Sequence, residues 1–375
     1  MKPERIVIID DNASDAAIVR RMLERSGYLV YYATSGLQGL EHLEKESADC
    51  VLVDYRMPGM NGYEVARAIK SNPVTQNIPV LMLTGADSTK NLVEGLQAGA
   101  DDFVTKAADF EIILARVSAL LRVKTYQDEL RQHNQRLEND LQFARRVQES
   151  LLPAREFRSD RAEIRSAYIP RETLSGDFYD FFEEEGEFFQ LIADVSGHGL
   201  PAAILVSLLK SFFHSEAVEL SPANIMEHLN DFLSTASLPS QFATAQLFRI
   251  GHGASRMTFA TAAHPPFLLW RRDESGIVSP EIPGHLLGIS RGAKFEQHEL
   301  DLAPGDLLFT YTDGLTDRRN AAGDFYSIDR IASILERTGA DASEKVYAAI
   351  LEDVTAFSPV ADFRDDVAFT LTRFS

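Results

Sequence analysis

Short apolar runs alternate with amphipathic stretches through the first third of the chain: RIVIID, then DAAIVRRMLERSG; YLVYYAT, then LQGLEHLEKE; DCVLVD, then GYEVARAIK; PVLMLT, then NLVEGLQAGA; DDFVT, then FEIILARVSALLR. Runs of four to six apolar residues suit strands buried on both faces, and the stretches between them carry the period of helices. Five such units in succession predict a doubly wound α/β domain with a five-stranded parallel sheet over residues 1–121, its ligand site at the carboxyl ends of the strands. The pattern then changes. Residues 122–152 lack Gly and Pro and place Val123, Leu130, Leu137, Ala144 and Leu151 seven apart, with Leu120, Gln127, Asn134, Leu141 and Gln148 on the neighbouring seam. That spacing predicts a helical linker able to pair as a coiled coil, its alternate polar members fixing register in a homodimer. Pro153 should end it, and at 1.5 Å per residue the segment would run about 45 Å.

From residue 153 to 375 the pattern mixes strands (EIRSAYIP, FYDFF, FFQLIADV) with helical stretches (PAAILVSLLKSFFHSEAV, PANIMEHLNDFLSTA). A run of strands from FATAQLFRI to DLLFTYTD follows, then helices near 327–337 and 342–356 and a last strand, VAFTLTRF. The expected architecture is α+β, with helices outside packed antiparallel sheets.

Composition narrows the partners. The formal charge is −19, and residues 159–375 hold 17 basic against 33 acidic side chains, which repels nucleic acid. No apolar run approaches the roughly 20 residues that span a bilayer. The amino-terminal residues lead straight into a strand rather than a signal peptide, so a soluble cytoplasmic protein is expected, with no membrane partner. Cys50, the single cysteine, lies inside an apolar run and forms no disulfide framework.

Two sets of acids carry the candidate chemistry. Asp10 and Asp11 follow the first strand, Asp54 ends the third, Thr84 the fourth, and Lys106 follows the fifth. Three carboxylates at one sheet edge repel unless a cation sits among them, which implies Mg2+. Further on, four phrases place aspartates beside glycine or behind apolar runs: SGDFYD (Asp177), ADVSGHG (Asp194), YTDGLTD (Asp313) and RDDVAF (Asp365, Asp366). Acids so placed suit a pair of hard divalent cations.

The motifs IIDDN, VDYRMPGMNG, MLTGA and GADDFVTK resemble the response-regulator receiver domain over residues 4–121. That resemblance implies Asp54 as phosphoacceptor for a histidine kinase. Asp10, Asp11 and the Arg56 carbonyl become Mg2+ ligands, Lys106 the partner of the phosphoryl group, and Thr84 with Phe103 the switch pair. One departure is Ala107, where the family usually has proline after the lysine.

The four later phrases, with ARRVQESLLP at 144–153, resemble the SpoIIE-like branch of the metal-dependent PPM-type serine/threonine phosphatases. By that resemblance Asp177 bridges two Mn2+ or Mg2+ ions, Asp194 and the Val195 carbonyl serve one ion, and Asp313 and Asp365 serve the other. Water between the ions attacks phosphorus without a covalent intermediate. Gly176, His198, Gly314 and Asp366 support the ligands, and Gln148, Leu151 and Leu152 belong to the helix that switches the domain. His264 and Trp270 are expected as packing residues, Asp180 as a neighbour of the site, and Arg171 as a surface residue or phosphate contact. Ser175, Ala263, Asp317, Arg318, Ser327 and Ala368 depart from the family pattern without removing an expected ligand.

The whole reads as a response regulator that dephosphorylates a phosphorylated anti-sigma-factor antagonist of the STAS fold. The alternatives are a phosphorylation-regulated adaptor that binds a sigma factor or other partner through an inactive phosphatase-like domain, and a hydrolase of small phosphoesters.

Overall fold

The five apolar runs of the first third form β1 (Arg5–Ile9), β2 (Leu29–Ala33), β3 (Cys50–Asp54), β4 (Val80–Thr84) and β5 (Asp102–Thr105). They pair in parallel in the order β2-β1-β3-β4-β5. The computed structural model describes residues 3–85, 97–236, 241–251, 255–273, 276–358, 363 and 365–375. By internal packing the chain divides into two units, Met1–Leu137 and Glu138–Ser375.

In the first unit, α1 (Ala13–Arg25), α2 (Gly36–Lys45) and α3 (Gly62–Ser71) begin at Asn12, Ser35 and Asn61, whose side chains accept the orphaned N–H groups of the first turns. Asn61 and Glu64 form a reciprocal capping box. Ala16 and Leu23 of α1 pack on one sheet face with Ile113, Val117 and Leu121, and Leu43, Val65 and Ile69 pack on the other. The helix expected in NLVEGLQAGA lies largely outside the described residues.

The periodicity that predicts a linker appears as one continuous helix, α4 (Phe110–Leu151), ending two residues before Pro153. Val123, Leu130 and Leu137 along it are exposed. Gln148 is buried, within the second unit, and Leu152 packs on the core there.

The second unit is a four-layer stack. One antiparallel sheet runs β14-β11-β10-β9-β8, with β8 (Asp177–Glu184), β9 (Glu187–Val195), β10 (Ala243–Ile250), β11 (Arg256–Ala262) and β14 (His298–Asp301). The other runs β13-β12-β15-β16-β7-β6, with β6 (Glu156–Arg158), β7 (Ala162–Ile169), β12 (Leu268–Arg271), β13 (Gly276–Val278), β15 (Leu307–Tyr311) and β16 (Val367–Phe374). Between them lie Ile164, Tyr179, Phe188, Ile192, Phe248, Leu269, Leu308 and Phe374. Each large side chain there stabilises the sandwich by about 1.5–3 kcal/mol.

Helices α5 (Leu200–Glu216) and α6 (Pro222–Ala236) cover the outer face of the first sheet through Leu205, Leu209, Phe213 and Met226. Helices α7 (Ile328–Thr338) and α8 (Ser343–Phe357) cover the second through Ile331, Leu335, Val346 and Ile350. Ser327, where the family pattern has glycine, caps α7 by accepting from the Asp329 N–H. One polar set crosses the sandwich: Gln190 donates to Thr370 at 2.8 Å and accepts from Thr372 at 2.7 Å. Its amide is fully buried, so those bonds offset the desolvation that burial imposes.

Candidate functional site

In the first unit the strand ends gather the expected residues. Among the described residues, Asp10, Asp11 and Asp54 are the one group of three whose carboxylate oxygens lie within 4.8 Å of one another. Lys106, just past β5, reaches Asp10 at 2.7 Å and Asp54 at 3.1 Å, with Asp15 at 3.7 Å. The Lys106 N–H donates to the Thr84 carbonyl at 2.8 Å, which ties the end of β5 to the end of β4. No cis peptide occurs among the described residues, so Lys106 reaches both acids with a trans bond to Ala107.

Burial raises the Asp54 carboxyl above its ordinary value, against the pull of Lys106 and the Arg56 backbone N–H. Desolvation draws Lys106 down, but its hydrogen bonds to Asp10 and Asp54 outweigh that, and the ammonium is held above its ordinary value. Thr84 is buried at the end of β4, and Phe103 on β5 is half-buried.

The second unit draws its acids from four segments and, among the described residues, leaves them more widely spaced than Asp10, Asp11 and Asp54. Asp177 opens β8 and stands directly opposite Asp194 near the end of β9. Asp313 starts a short 3-10 turn after β15, and Asp365 and Asp366 precede β16. Two glycines let the backbone approach closely here. A Cβ on Gly176 would lie 2.3 Å from the Val195 carbonyl oxygen, and one on Gly314 would lie 1.8 Å from the Asp366 carbonyl oxygen, both impossible contacts. The Val195 N–H returns to the Gly176 carbonyl at 3.1 Å.

Electrostatics mark the same place. Burial first, then Asp194, raises the Asp177 carboxyl well above its ordinary value, against the hydrogen bond that Thr312 Oγ1 donates at 2.7 Å. Burial, followed by Asp313, Asp365 and Asp366, pushes Asp194 up to about 7. Asp313 is raised by burial and by Asp317 and Asp365. Carboxylates placed so that they resist ionisation form an all-oxygen donor set for hard divalent cations, and the Val195 carbonyl adds a neutral oxygen. The residues present therefore fit a divalent metal centre.

Asp366 serves the frame. Its two carboxylate oxygens accept the Arg171 N–H at 2.7 Å and the Gly176 N–H at 3.1 Å. His198 is not gathered in: its side chain is 77% exposed and its Nδ1 lies 3.2 Å from Glu172. His264 is fully enclosed, Nδ1 bonded to Thr244 Oγ1 at 2.7 Å, and burial pushes it down to about 3. Asp180 is bound by Lys210 and His214 of α5 at 2.7 and 2.8 Å, and Trp270 packs within β12.

One participant, Thr312, is not singled out by the sequence. Thr312, which holds Asp177, sits inside the YTDG phrase, where a hydroxyl between strand end and acid was the available signal. The buried Ser175 stands out there only as a departure from the family pattern.

Comparison with known proteins falls on the same two regions. A family model described as Stage II sporulation protein E (SpoIIE) matches residues 184–375, and one described as Response regulator receiver domain matches residues 6–118. Asp194, Asp313 and Asp365 lie inside the first match, and Asp177 lies just ahead of it. The chain is similar to the phosphoserine phosphatase RsbU of Bacillus subtilis, 27% identical over 218 residues, covering 58% of this chain and 65% of that protein. It is similar to the response regulator PleD of Caulobacter vibrioides, 38% identical over 128 residues, covering 34% of this chain and 28% of PleD. It thus spans less than two thirds of each relative's length. Among solved structures, the SiaA-PP2C domain of Pseudomonas aeruginosa superposes with a TM-score of 0.56 at 20% identity, covering 65% of this chain and 99% of that one, a likeness of fold.

Proposed function

Because this chain belongs to the SpoIIE family and carries a response-regulator receiver domain ahead of the family domain, we propose that it is a phosphoserine/phosphothreonine protein phosphatase controlled by phosphorylation of Asp54. The observation that carries this reading is the placing of Asp177 opposite Asp194, with burial, and Asp313 and Asp366 acting on both, holding the two carboxyls above their ordinary values. A partner-binding adaptor has no need to hold acids in so unfavourable an arrangement.

In this reading Asp177, Asp194, the Val195 carbonyl, Asp313 and Asp365 would hold a pair of Mn2+ or Mg2+ ions. Such a pair, when bound, supplies positive charge for phosphoryl oxygens and makes water more acidic. Thr312 fixes the Asp177 carboxylate by its 2.7 Å hydrogen bond, and Asp366 keeps the Arg171–Gly176 loop in place through two backbone N–H groups.

In the receiver, Asp10, Asp11 and the Arg56 carbonyl hold Mg2+. An Asp54 oxygen forms its bond to the phosphorus of a histidine kinase's phosphohistidine as the P–N bond breaks. Lys106 neutralises the transferred group, and Thr84 and Phe103 respond to it. Linker α4, with Gln148, Leu151 and Leu152, carries the response to the catalytic domain, and its exposed Val123, Leu130 and Leu137 pair with a second copy. The domains run 1–121, 122–152 and 153–375.

The substrate is a phosphorylated anti-sigma-factor antagonist of the STAS fold, a reading supported by the likeness to RsbU. The test is phosphate release from such a phosphoprotein with Mn2+, with Mg2+ and with neither, in the presence and absence of a beryllium fluoride mimic of the Asp54 phosphoryl group. Metal-dependent release that changes with the mimic is expected. Clean protein inert under every condition would sink the proposal.

A further inference from the structure

Ser175 is fully buried immediately before Gly176 and β8. Its backbone faces α4. Gln148 Nε2 donates to the Ser175 carbonyl at 2.7 Å, and Gln148 Oε1 accepts the Ser175 N–H at 3.2 Å. The amide of Gln148, itself only 4% exposed, thus spends both ends on one residue. Two bonds to one backbone fix that residue in register and orientation as a single bond cannot.

The Ser175 hydroxyl faces the acids. Its oxygen accepts the Asp177 N–H at 3.0 Å. A hydroxyl has one proton and two lone pairs. One lone pair here takes the Asp177 N–H inside a dry site, where such a bond carries more weight than in water.

We propose that Ser175 is a positioning residue through which α4 sets Asp177 at the metal-binding acids: Gln148 fixes its backbone, and its hydroxyl fixes the Asp177 backbone. The inference rests on the phosphatase reading above. Displacement of Gln148 by a turn of α4 frees the Ser175 peptide, and the Asp177 backbone loses its anchor. Signal from the helix therefore reaches the metal site through two side chains.

The test uses the full chain as wild type, Ser175→Ala, Ser175→Gly, Gln148→Ala and the Ser175→Ala/Gln148→Ala double variant. Mn2+ affinity is read by calorimetry, turnover against Mn2+ concentration, and hydrogen exchange at the Asp177 amide without metal. Outer-shell partners of metal ligands are typically worth about 10–100-fold in affinity. Each single variant should weaken Mn2+ binding at least about tenfold on that scale, with turnover at saturating Mn2+ changed far less. The double variant should lose less than the product of the singles, because both act at one residue. Ser175→Gly, the family's own residue, tolerates the fold and should behave like Ser175→Ala.

Asp177 amide exchange should quicken in every variant. That readout holds even if the wild type is inactive, a result counting against the phosphatase reading alone. Unchanged exchange and affinity in Ser175→Gly, or losses that simply multiply, would overturn the inference.

Discussion

In the receiver unit, Asp10 and Asp54 lie against the Lys106 ammonium at 2.7 and 3.1 Å. In the catalytic unit, Asp177 faces Asp194 across a strand pair, and the leading influences on both are burial and further carboxylates. One cluster carries a countercharge within the chain. In the other no basic side chain figures among those influences, so in the phosphatase reading bound cations would supply the countercharge.

The comparison breaks most sharply at Asp177. Asp177→Asn should lower turnover by about a thousandfold, the equivalent of several kcal/mol of lost charge stabilisation. It should also abolish the stabilisation that Mn2+ confers, which for the wild type amounts to about 2.7 kcal/mol at a hundred times the dissociation constant. Thermal unfolding with and without Mn2+ reads this directly. An Asn variant that still gains stability from Mn2+ would mean that the acids are not waiting for metal.

The opposite test removes the receiver's internal cation. Lys106→Met leaves Asp10 and Asp54 facing each other unneutralised, and should cost about 1–2 kcal/mol, toward the low side for a buried pair because Lys106 keeps solvent access. Mg2+ should restore most of that loss in the variant while adding less to the wild type. Equal Mg2+ stabilisation of both would show that Lys106 does not serve as the countercharge.

How far these clusters were legible depends on what each residue's role requires. Strand-end acids announce themselves: Asp10 and Asp54 close apolar runs, Asp177 follows a glycine, and Asp313 stands between a strand end and a glycine. The parallel sheet was legible because its strands are buried on both faces and read as unbroken apolar runs. The order of the antiparallel sheets was not, because it depends on which distant strands pair, and Asp177 meets Asp194 only through that register.

Thr312, Ser175 and Gln148 are polar residues of ordinary type whose meaning lies in a partner remote in sequence. Thr312 bonds a residue 135 positions away, and Gln148 one 27 positions away. His198 shows the converse. A histidine between two glycines in a site phrase looked like part of the machinery, yet its side chain stands mostly in water.

His264 tests the same contrast through pH. Its folded value of about 3 lies below the ordinary 6.5 because burial disfavours the imidazolium. Above about pH 6.5 the ring is neutral in folded and unfolded chains alike, so the stability it confers is fully present there. As pH falls below that, the unfolded chain takes up a proton that the folded one refuses. Stability is then lost at up to about 1.4 kcal/mol per pH unit until the folded value is reached. Relative to His264→Gln, in which the other titrations cancel, the wild type should lose ground steadily between pH 6.5 and 4 in urea unfolding of the catalytic unit. Parallel profiles would place the ring in contact with solvent.

The smallest effect concerns strain, which also divides the two units. Among the described residues, the non-glycine positions with positive φ are Glu185 and Ala263, at 49° and 50°, both in the catalytic unit. Ala263 replaces the glycine of the family pattern, and the left-handed conformation costs a residue with a Cβ about 1–2 kcal/mol. Glycine removes that cost, but the unfolded chain gains freedom worth roughly 0.4–1 kcal/mol, so the two oppose. Ala263→Gly should therefore stabilise the catalytic unit by about 0.5–1 kcal/mol and leave the receiver transition where it was. A loss of stability would show that the Ala263 methyl group makes packing contacts worth more than the strain.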